Sequence, residues 1–273
     1  MDLDTALRTL ARDPAAPLDV AEVALHLGRD EYPDLDVEAY LSELDAMAHE
    51  ARTYLGGGLE AKVAGLCRYL FHEMGFRGNQ RDYDDPRNSY LNQVIDRRTG
   101  LPITLSAVAM AVGTRAGLEV VGVGLPGHFV AKAVEGRHEV FFDPFHGGRV
   151  LTPESCEQLV QRVTGMPFRA TADQLRALPL GLMVQRLLTN LKGIYLRDGE
   201  FGRAVRVIER LRQVNPGDRL LVRDHGIGLL GAGRPGRAYD CLLTYLTTPP
   251  TPADAASVQQ LLDRASAEMA KWN

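Results

Sequence analysis

Residues 100–117 read GLPITLSAVAMAVGTRAG, and this stretch decides the fold that the sequence predicts. Pro102 suits the first turn of a helix, and Gly117 suits the position just past its end. Thr104 and Ser106 are the only polar residues in the first three turns. A helix with so few polar positions has no face for water, so we expect protein to surround it on most sides.

Three short strands are predicted directly after this helix. The stretches LEVVGVGL (118–125), HFVAKAV (128–134) and HEVFFDPF (138–145) are rich in Val and Phe and are separated by turn residues. Strands joined by such short connections pair in the antiparallel sense. We therefore predict an α+β core in which a buried helix packs on a small antiparallel sheet.

Helical patterns flank this core on both sides. Apolar residues recur at helical spacing over 21–27 and 37–54, whereas the polar stretch RGNQRDYDDPRNSY (77–90) predicts a loop. Pro179 opens a return to helical patterns that continues to the end of the chain. The predicted parts are an N-terminal helical segment (1–58), an α+β core (59–176) and a C-terminal helical array (177–273).

The C-terminal array repeats itself with a period of 34 residues. The aligned pairs are Gly199 with Gly233, Arg203 with Arg237, Ala204 with Ala238, and Pro216 with Pro250. This period resembles the tetratricopeptide repeat, in a degenerate version because Lys192 replaces the usual small residue. One such helix pair cannot bury its apolar face alone, so we expect two pairs and a terminal helix over 253–272 to stack. The alternative is two unrelated helical hairpins.

Two residues of the predicted sheet suggest chemistry. His128 begins the second strand, and Asp143 ends the third strand fifteen residues later. In adjacent antiparallel strands their side chains can come within hydrogen-bonding reach. A carboxylate that orients an imidazole forms two-thirds of a nucleophilic triad. The alternative is structural, with His128 partly buried at a strand end and Asp143 capping the turn before Pro144.

The same region offers a weaker pattern for a metal ion. His128, His138, Asp143 and His146 lie within nineteen residues, and such groups bind zinc. Their spacing matches no standard motif, so we expect no metal site. We also expect no cofactor, because a predicted strand rather than a helix follows the glycines of GVGLPG (122–127).

The order of these elements resembles the transglutaminase-like, papain-like core. The stretches SYLNQVIDRRTGLPITLS (89–106), GVGLPGHFVAKA (122–133) and FFDPFHGG (141–148) are similar to one bacterial branch, the SirB-type family. In that family a transglutaminase-like core precedes tetratricopeptide repeats. The resemblance covers the chain from Leu59 to its end.

The resemblance implies site residues and also exposes a departure from the family pattern. In the papain-like core a cysteine at the helix start is activated by the helix dipole and by a neighbouring His, with an Asp behind that His. His128 and Asp143 match the last two positions, but no cysteine occurs between Cys67 and Cys156. Thr104 either acts as the nucleophile of a Thr-His-Asp site or caps backbone amides at a vestigial site.

The missing cysteine favours a non-catalytic protein-interaction or regulatory module. Its repeats would bind a protein or peptide partner, which requires no nucleophile. The alternative is a hydrolase or acyltransferase that acts on amide bonds with Thr104, His128 and Asp143.

Composition excludes several other classes of protein. The 31 basic and 35 acidic residues give a formal charge of −4, so we expect neither nucleic acid nor a membrane surface as a partner. No apolar stretch approaches the ~18 residues of a membrane span. Three widely spaced cysteines indicate reduced thiols, and together with the polar N-terminus they predict a cytoplasmic protein.

Overall fold

A computed structural model of the chain describes residues 1–247 and 251–271. Contacts divide it into two units. The first consists of Met1–Ala6 and Pro14–Met183, and the second of Leu7–Asp13 and the chain from Val184 onward. Pro250 and Trp272, which belong to the predicted repeats and terminal helix, lie outside the described residues. The division of the chain at residues 58 and 176 stays a prediction.

The N-terminal part of the chain is helical, as its apolar spacing predicts. Its helices are α1 (Leu3–Arg12), α2 (Val20–Gly28), α3 (Val37–Ala51) and α4 (Leu59–Cys67). Asp19 and Asp36 begin α2 and α3, because their carboxylates accept hydrogen bonds from backbone N–H groups of the first turn. A π-helical segment, Arg68–Glu73, continues α4.

The core consists of one buried helix and a four-stranded sheet, which confirms the predicted α+β class. After α5 (Leu91–Arg97) comes α6 (Pro102–Ala116), in which every residue from Pro102 to Ala109 is buried. Two short strands before α6, β1 (Arg77–Gly78) and β2 (Thr99–Gly100), pair in parallel. The sheet that follows is antiparallel in the order β3 (Val120–Leu125), β4 (His128–Glu135), β5 (His138–Asp143) and β6 (Arg149–Leu151).

Helices cover both faces of this sheet. On one face α6 packs against β3 and β4, where Val120 meets Gly113 of the helix. On the other face α7 (Pro153–Thr164) contributes Cys156 and Leu159 to an apolar cluster with Val130 and other sheet residues. Side chains alternate between the two faces of a sheet along each strand. His128 at the start of β4 and Asp143 at the end of β5 therefore lie on the same face, which α7 covers.

The second unit contains the stacked helices that the 34-residue period predicts. They are α8 (Leu180–Arg197), which begins in the first unit, α9 (Phe201–Val214), α10 (Leu220–Gly231), α11 (Pro235–Leu246) and α12 (Pro252–Ala270). Each helix from α9 to α11 packs on the next. Gly199 and Gly233 both have a positive φ between paired helices, and Ala204 and Ala238 are fully buried. Among the described helices, none has the length and apolar character that crossing a membrane requires.

Gly226 allows a test of the α10–α11 packing. A Cβ at Gly226 would lie 2.7 Å from the buried side chain of Leu242, so Gly226→Ala forces the two helices apart. We expect the free energy of unfolding to fall by about 1–3 kcal/mol, as for overpacked cores. In the control Gly193→Ala, the new Cβ meets no neighbouring group within 4 Å. We expect its free energy of unfolding to rise by about 1 kcal/mol, because alanine favours the helix over glycine. Urea unfolding followed by circular dichroism measures both, and equal stabilities would contradict this packing.

Candidate functional site

His128 and Asp143 meet at the ends of two neighbouring strands. The register pairs Ala131 of β4 with Phe142 of β5, which places Asp143 beside Val130 and on the same face as His128. The Nε2 atom of His128 lies 3.0 Å from Oδ2 of Asp143. His128 is 5% exposed and Asp143 is 1% exposed, so the pair is buried.

The Asp143 carboxylate is fixed by backbone as well as by side chains. Its Oδ1 accepts hydrogen bonds from the backbone N–H groups of Phe145 at 3.0 Å and His146 at 3.4 Å. Burial alone raises the pKa of Asp143, but the hydrogen bond and charge of His128, together with those of His146, outweigh burial and hold the pKa below its usual value. The carboxylate is therefore ionised and held in one orientation at neutral pH.

His146 completes a cluster that the triad pattern did not include. Residues Pro144–His146 form a 3-10 turn capped by Asp143, and Nδ1 of His146 lies 2.7 Å from Asp143 Oδ2. The imidazole rings of His128 and His146 are stacked with centroids 5.7 Å apart. Asp143 and His146 are three residues apart, and a 3-10 turn brings such residues onto one side, so the sequence DPFH carried the signal.

Thr104 makes a different set of contacts. Its hydroxyl donates to the backbone carbonyl of Asn88 at 2.8 Å and accepts from the backbone N–H of Leu101 at 2.9 Å. Thr104 is fully buried. Ser106, the other hydroxyl near the helix start, donates to the carbonyl of Pro102 at 2.8 Å. Both hydroxyls therefore bind backbone groups at the start of α6.

Asn88 connects the helix start to the polar loop, which we define as residues 79–90. The Asn88 side chain is fully buried and donates to the backbone carbonyls of Asp82 and Tyr83. Its oxygen accepts hydrogen bonds from Asn79 at 3.1 Å and from Arg97 at 3.5 Å. One asparagine thus fastens both ends of the loop.

The polar loop covers the aromatic side of the His–Asp cluster. The ring of Phe145 lies edge-on to both His128 and Tyr83, with centroids 5.9 Å and 6.0 Å apart. Gly78 of β1 lies so close to this ring that a Cβ there would be 2.5 Å from it. Phe145 therefore fills the space between His128 and the strand pair that leads into α6.

The cavities beside these residues differ greatly in size. The cavity that contacts Asp143 and His146 has a volume of about 70 Å³ and extends along α7 to Arg162. A larger cavity of about 680 Å³ is lined by residues 77–82 together with Arg97 and Thr99, and none of its lining residues belongs to the His–Asp cluster. Small-molecule sites typically occupy ~300–1,000 Å³, so the space beside Asp143 suits an ion or a few waters better than a substrate.

The chain's three cysteines are not activated. Burial raises the pKa of Cys67 to about 12, and burial together with the nearby charge of Asp143 raises that of Cys156 to about 11. Burial also raises the pKa of Cys241. A nucleophilic cysteine needs a lowered pKa, whereas the pKa of each of these thiols is shifted the other way.

Comparison with known families agrees with this arrangement. Residues 38–189 match the model of the transglutaminase-like superfamily, and residues 191–263 match a tetratricopeptide repeat model. A UPF0162 protein of Xylella fastidiosa is 35% identical over 86% of this chain and 85% of its own length. The chain belongs to the UPF0162 family. Its transglutaminase-like region followed by tetratricopeptide repeats is the order expected of a SirB-type protein.

Further relatives come from another bacterium and from human. A UPF0162 protein of Pseudomonas aeruginosa is 30% identical over 77% of this chain and 76% of its own length. Human F-box only protein 21 is 28% identical over 52% of this chain but only 23% of its own length. No solved structure gives a significant match. Part of this chain is thus similar to a segment of a much longer eukaryotic protein.

The hydroxyl of Thr104 gives a test of how α6 begins. Thr104→Val keeps the shape but removes the buried hydroxyl that bridges the Leu101 N–H and the Asn88 carbonyl, which then keep only their direct 3.4 Å hydrogen bond. We expect the free energy of unfolding to fall by about 1–3 kcal/mol. Thr104→Ser retains the hydroxyl and should recover most of this loss. Chemical denaturation measures the free energy of unfolding of both variants. A Thr104→Val variant as stable as the parent would show that the hydroxyl has no role in the cap.

Asn88 gives a separate test of the polar loop. Asn88→Asp replaces two N–H donors by an oxygen that repels the carbonyls of Asp82 and Tyr83. We expect the amides of residues 79–90 to exchange hydrogen at least ~10-fold faster, while those of α8–α11 keep their rates. Gln80→Ala, an exposed position in the same loop, is the control. Hydrogen exchange measured by mass spectrometry compares them, and equal rates in both variants would contradict the role given to Asn88.

Proposed function

We propose that this chain is a non-catalytic protein-interaction or regulatory module, located in the cytoplasm, whose repeats bind a segment of a partner protein. The observation that carries the proposal is the engagement of the Thr104 hydroxyl by Asn88 and Leu101. Thr104 stands at the helix start, where the transglutaminase-like core has its nucleophile. A hydroxyl that donates its proton to a buried carbonyl does not donate it to His128, so Thr104 is not arranged to attack a substrate.

The surroundings of His128 support the same proposal. The pKa values of all three cysteines are raised, so no thiol replaces the missing nucleophile. The cavity beside Asp143 and His146 holds about 70 Å³, which is too little for a polypeptide side chain together with its backbone. An acyl-transfer enzyme needs both an activated nucleophile and room for its substrate.

The repeats supply a surface for a partner. Tetratricopeptide repeats usually mediate protein interactions, and stacked helix pairs bind segments by shape and apolar anchors without chemistry. In the second unit two large apolar side chains, Leu220 of α10 and Leu243 of α11, are 46% and 49% exposed. Exposed leucines of this kind become buried anchors when a partner covers them.

The second candidate function is a hydrolase or acyltransferase that acts on amide bonds. The 3.0 Å contact between His128 and Asp143 favours it, because an oriented imidazole is a competent general base. In this function Thr104 would be the nucleophile and backbone amides at the helix start would stabilise the oxyanion.

Activity assays separate the two functions. The full chain is incubated with p-nitrophenyl esters, and with casein and a fluorescent amine, to detect hydrolysis and acyl transfer. We expect turnover no higher than that of His128→Ala, since a module without a presented nucleophile has nothing for His128 to activate. A rate that falls more than ~100-fold in both His128→Ala and Thr104→Val, with circular dichroism unchanged, would establish the enzyme and overturn the proposal.

Partner capture tests the repeats directly. Full-length chain with an affinity tag is cross-linked in bacterial lysate, and partners are quantified by mass spectrometry. We expect Leu220→Asp or Leu243→Asp to lower recovery of a specific partner at least ~5-fold, because a buried charge has no compensation in an apolar contact. Val150→Asp, which changes an equally exposed apolar residue of β6, is the matched control. Equal recovery of the partner by all three variants would show that the repeats do not take part in the interaction.

A further inference from the structure

Three potential metal ligands meet on the sheet face that packs on α7. One ligand atom from each of His128, Asp143 and His146 lies within 4.8 Å of the others. The transglutaminase-like arrangement accounts for His128 and Asp143 but gives no role to His146. An imidazole that extends a two-residue site into a three-residue cluster needs an explanation of its own.

We propose that His128, Asp143 and His146 form a binding site for one divalent transition-metal ion, with zinc as the ion to test first. The ligand atoms are Nε2 of His128, Nδ1 of His146 and Oδ2 of Asp143. Two imidazoles and one carboxylate are a donor set that zinc, cobalt and iron accept. The proposal does not rest on the interaction role of the repeats, since an ion can bind a catalytic or a non-catalytic core.

The two ligand distances from Asp143 suit a shared ion after a small adjustment, and the two imidazole nitrogens lie within 4.8 Å of each other. Two ligands that are each about 2.1 Å from one ion lie about 3.0 Å apart at a right angle and about 3.4 Å apart at the tetrahedral angle. Asp143 Oδ2 is 3.0 Å from His128 and 2.7 Å from His146. The second distance must open by a few tenths of an ångström. His146 is followed by Gly147 and Gly148, and its partly exposed side chain can move by this amount.

Asp143 is already oriented as a metal ligand. Its Oδ1 is occupied by the backbone N–H groups of Phe145 and His146, which leaves Oδ2 directed at the two imidazoles. Ligand carboxylates in metal sites are held in this way by hydrogen bonds to the oxygen that does not bind the ion. The backbone of the 3-10 turn therefore supplies the outer hydrogen bonds of the site.

The site is both buried and reachable. The side chains of His128 and Asp143 are 4% and 2% exposed, whereas that of His146 is 40% exposed. The adjoining cavity of about 70 Å³ has room for an ion and one or two waters, since each water occupies ~30 Å³. Arg149 and Arg162 line the same cavity, so a fourth ligand would be water or a small anion.

Metal titration of the full chain tests the site. The protein is treated with a chelator, dialysed, and titrated with Zn²⁺ in competition with a chromophoric chelator. We expect one ion per chain and a dissociation constant that rises more than ~100-fold in His146→Ala. Because the His146 side chain is 40% exposed, this variant should keep the circular dichroism of the parent. His138→Ala, which removes an exposed histidine from the start of β5, should bind as the parent does.

A second variant and a spectroscopic probe complete the test. Asp143→Asn keeps the shape of the side chain but loses the charge, and it should weaken Zn²⁺ binding at least ~10-fold. Co²⁺ should give visible absorption that His146→Ala abolishes. The proposal is overturned if the parent binds no Zn²⁺ below millimolar concentration. It is equally overturned if His146→Ala binds as tightly as the parent, or if His138→Ala loses as much affinity as His146→Ala.

Discussion

The hydrogen bond from Thr104 to the carbonyl of Asn88 is the interaction on which the rest of the core depends. Thr104 lies in the first turn of α6, where every residue from Pro102 to Ala109 is buried and backbone groups need partners from the protein. Asn88, at the other end of this bond, fastens the polar loop, and that loop places Tyr83 over Phe145 beside His128. A hydroxyl has one proton to donate, so the bond that closes this network competes with any role for Thr104 in attacking a substrate.

Asp143 imposes the second constraint, because a buried carboxylate is costly unless donors surround it. Two imidazoles and two backbone N–H groups provide that compensation. The backbone donors require the chain to turn immediately after β5, and this turn brings His146 back over the carboxylate. The capped turn and the proposed metal site therefore both depend on the Asp143 carboxylate. Phe145, whose ring lies edge-on to both histidine rings, closes the cluster against the polar loop.

Features of the fold that leave a periodic pattern or follow from strand register were predictable from the sequence. Features that depend on a single long-range contact were not. The apolar run of α6, the Val- and Phe-rich stretches of β3–β5 and the 34-residue repeat each leave a pattern, and each predicted element is present among the described residues. The proximity of His128 and Asp143 follows from strand register alone. The two-residue strands β1 and β2 are too short to show alternation. The bond between Thr104 and Asn88 spans sixteen residues and leaves no local trace. His146 was visible only as one of four possible metal ligands, because its position depends on a three-residue turn.

In the non-catalytic function proposed above, the buried His–Asp pair contributes to structure rather than to chemistry. A buried ionic pair is a poor source of stability, since apolar residues of similar volume often serve as well. An ion bound to the pair and to His146 would alter this balance, because a ligand that binds only the folded state stabilises it in proportion to its affinity and concentration. That stabilisation would act on the turn after β5, and through Phe145 on Gly78 and the polar loop. With the proposed ion bound, the histidine and aspartate of this transglutaminase-like core would form a structural centre.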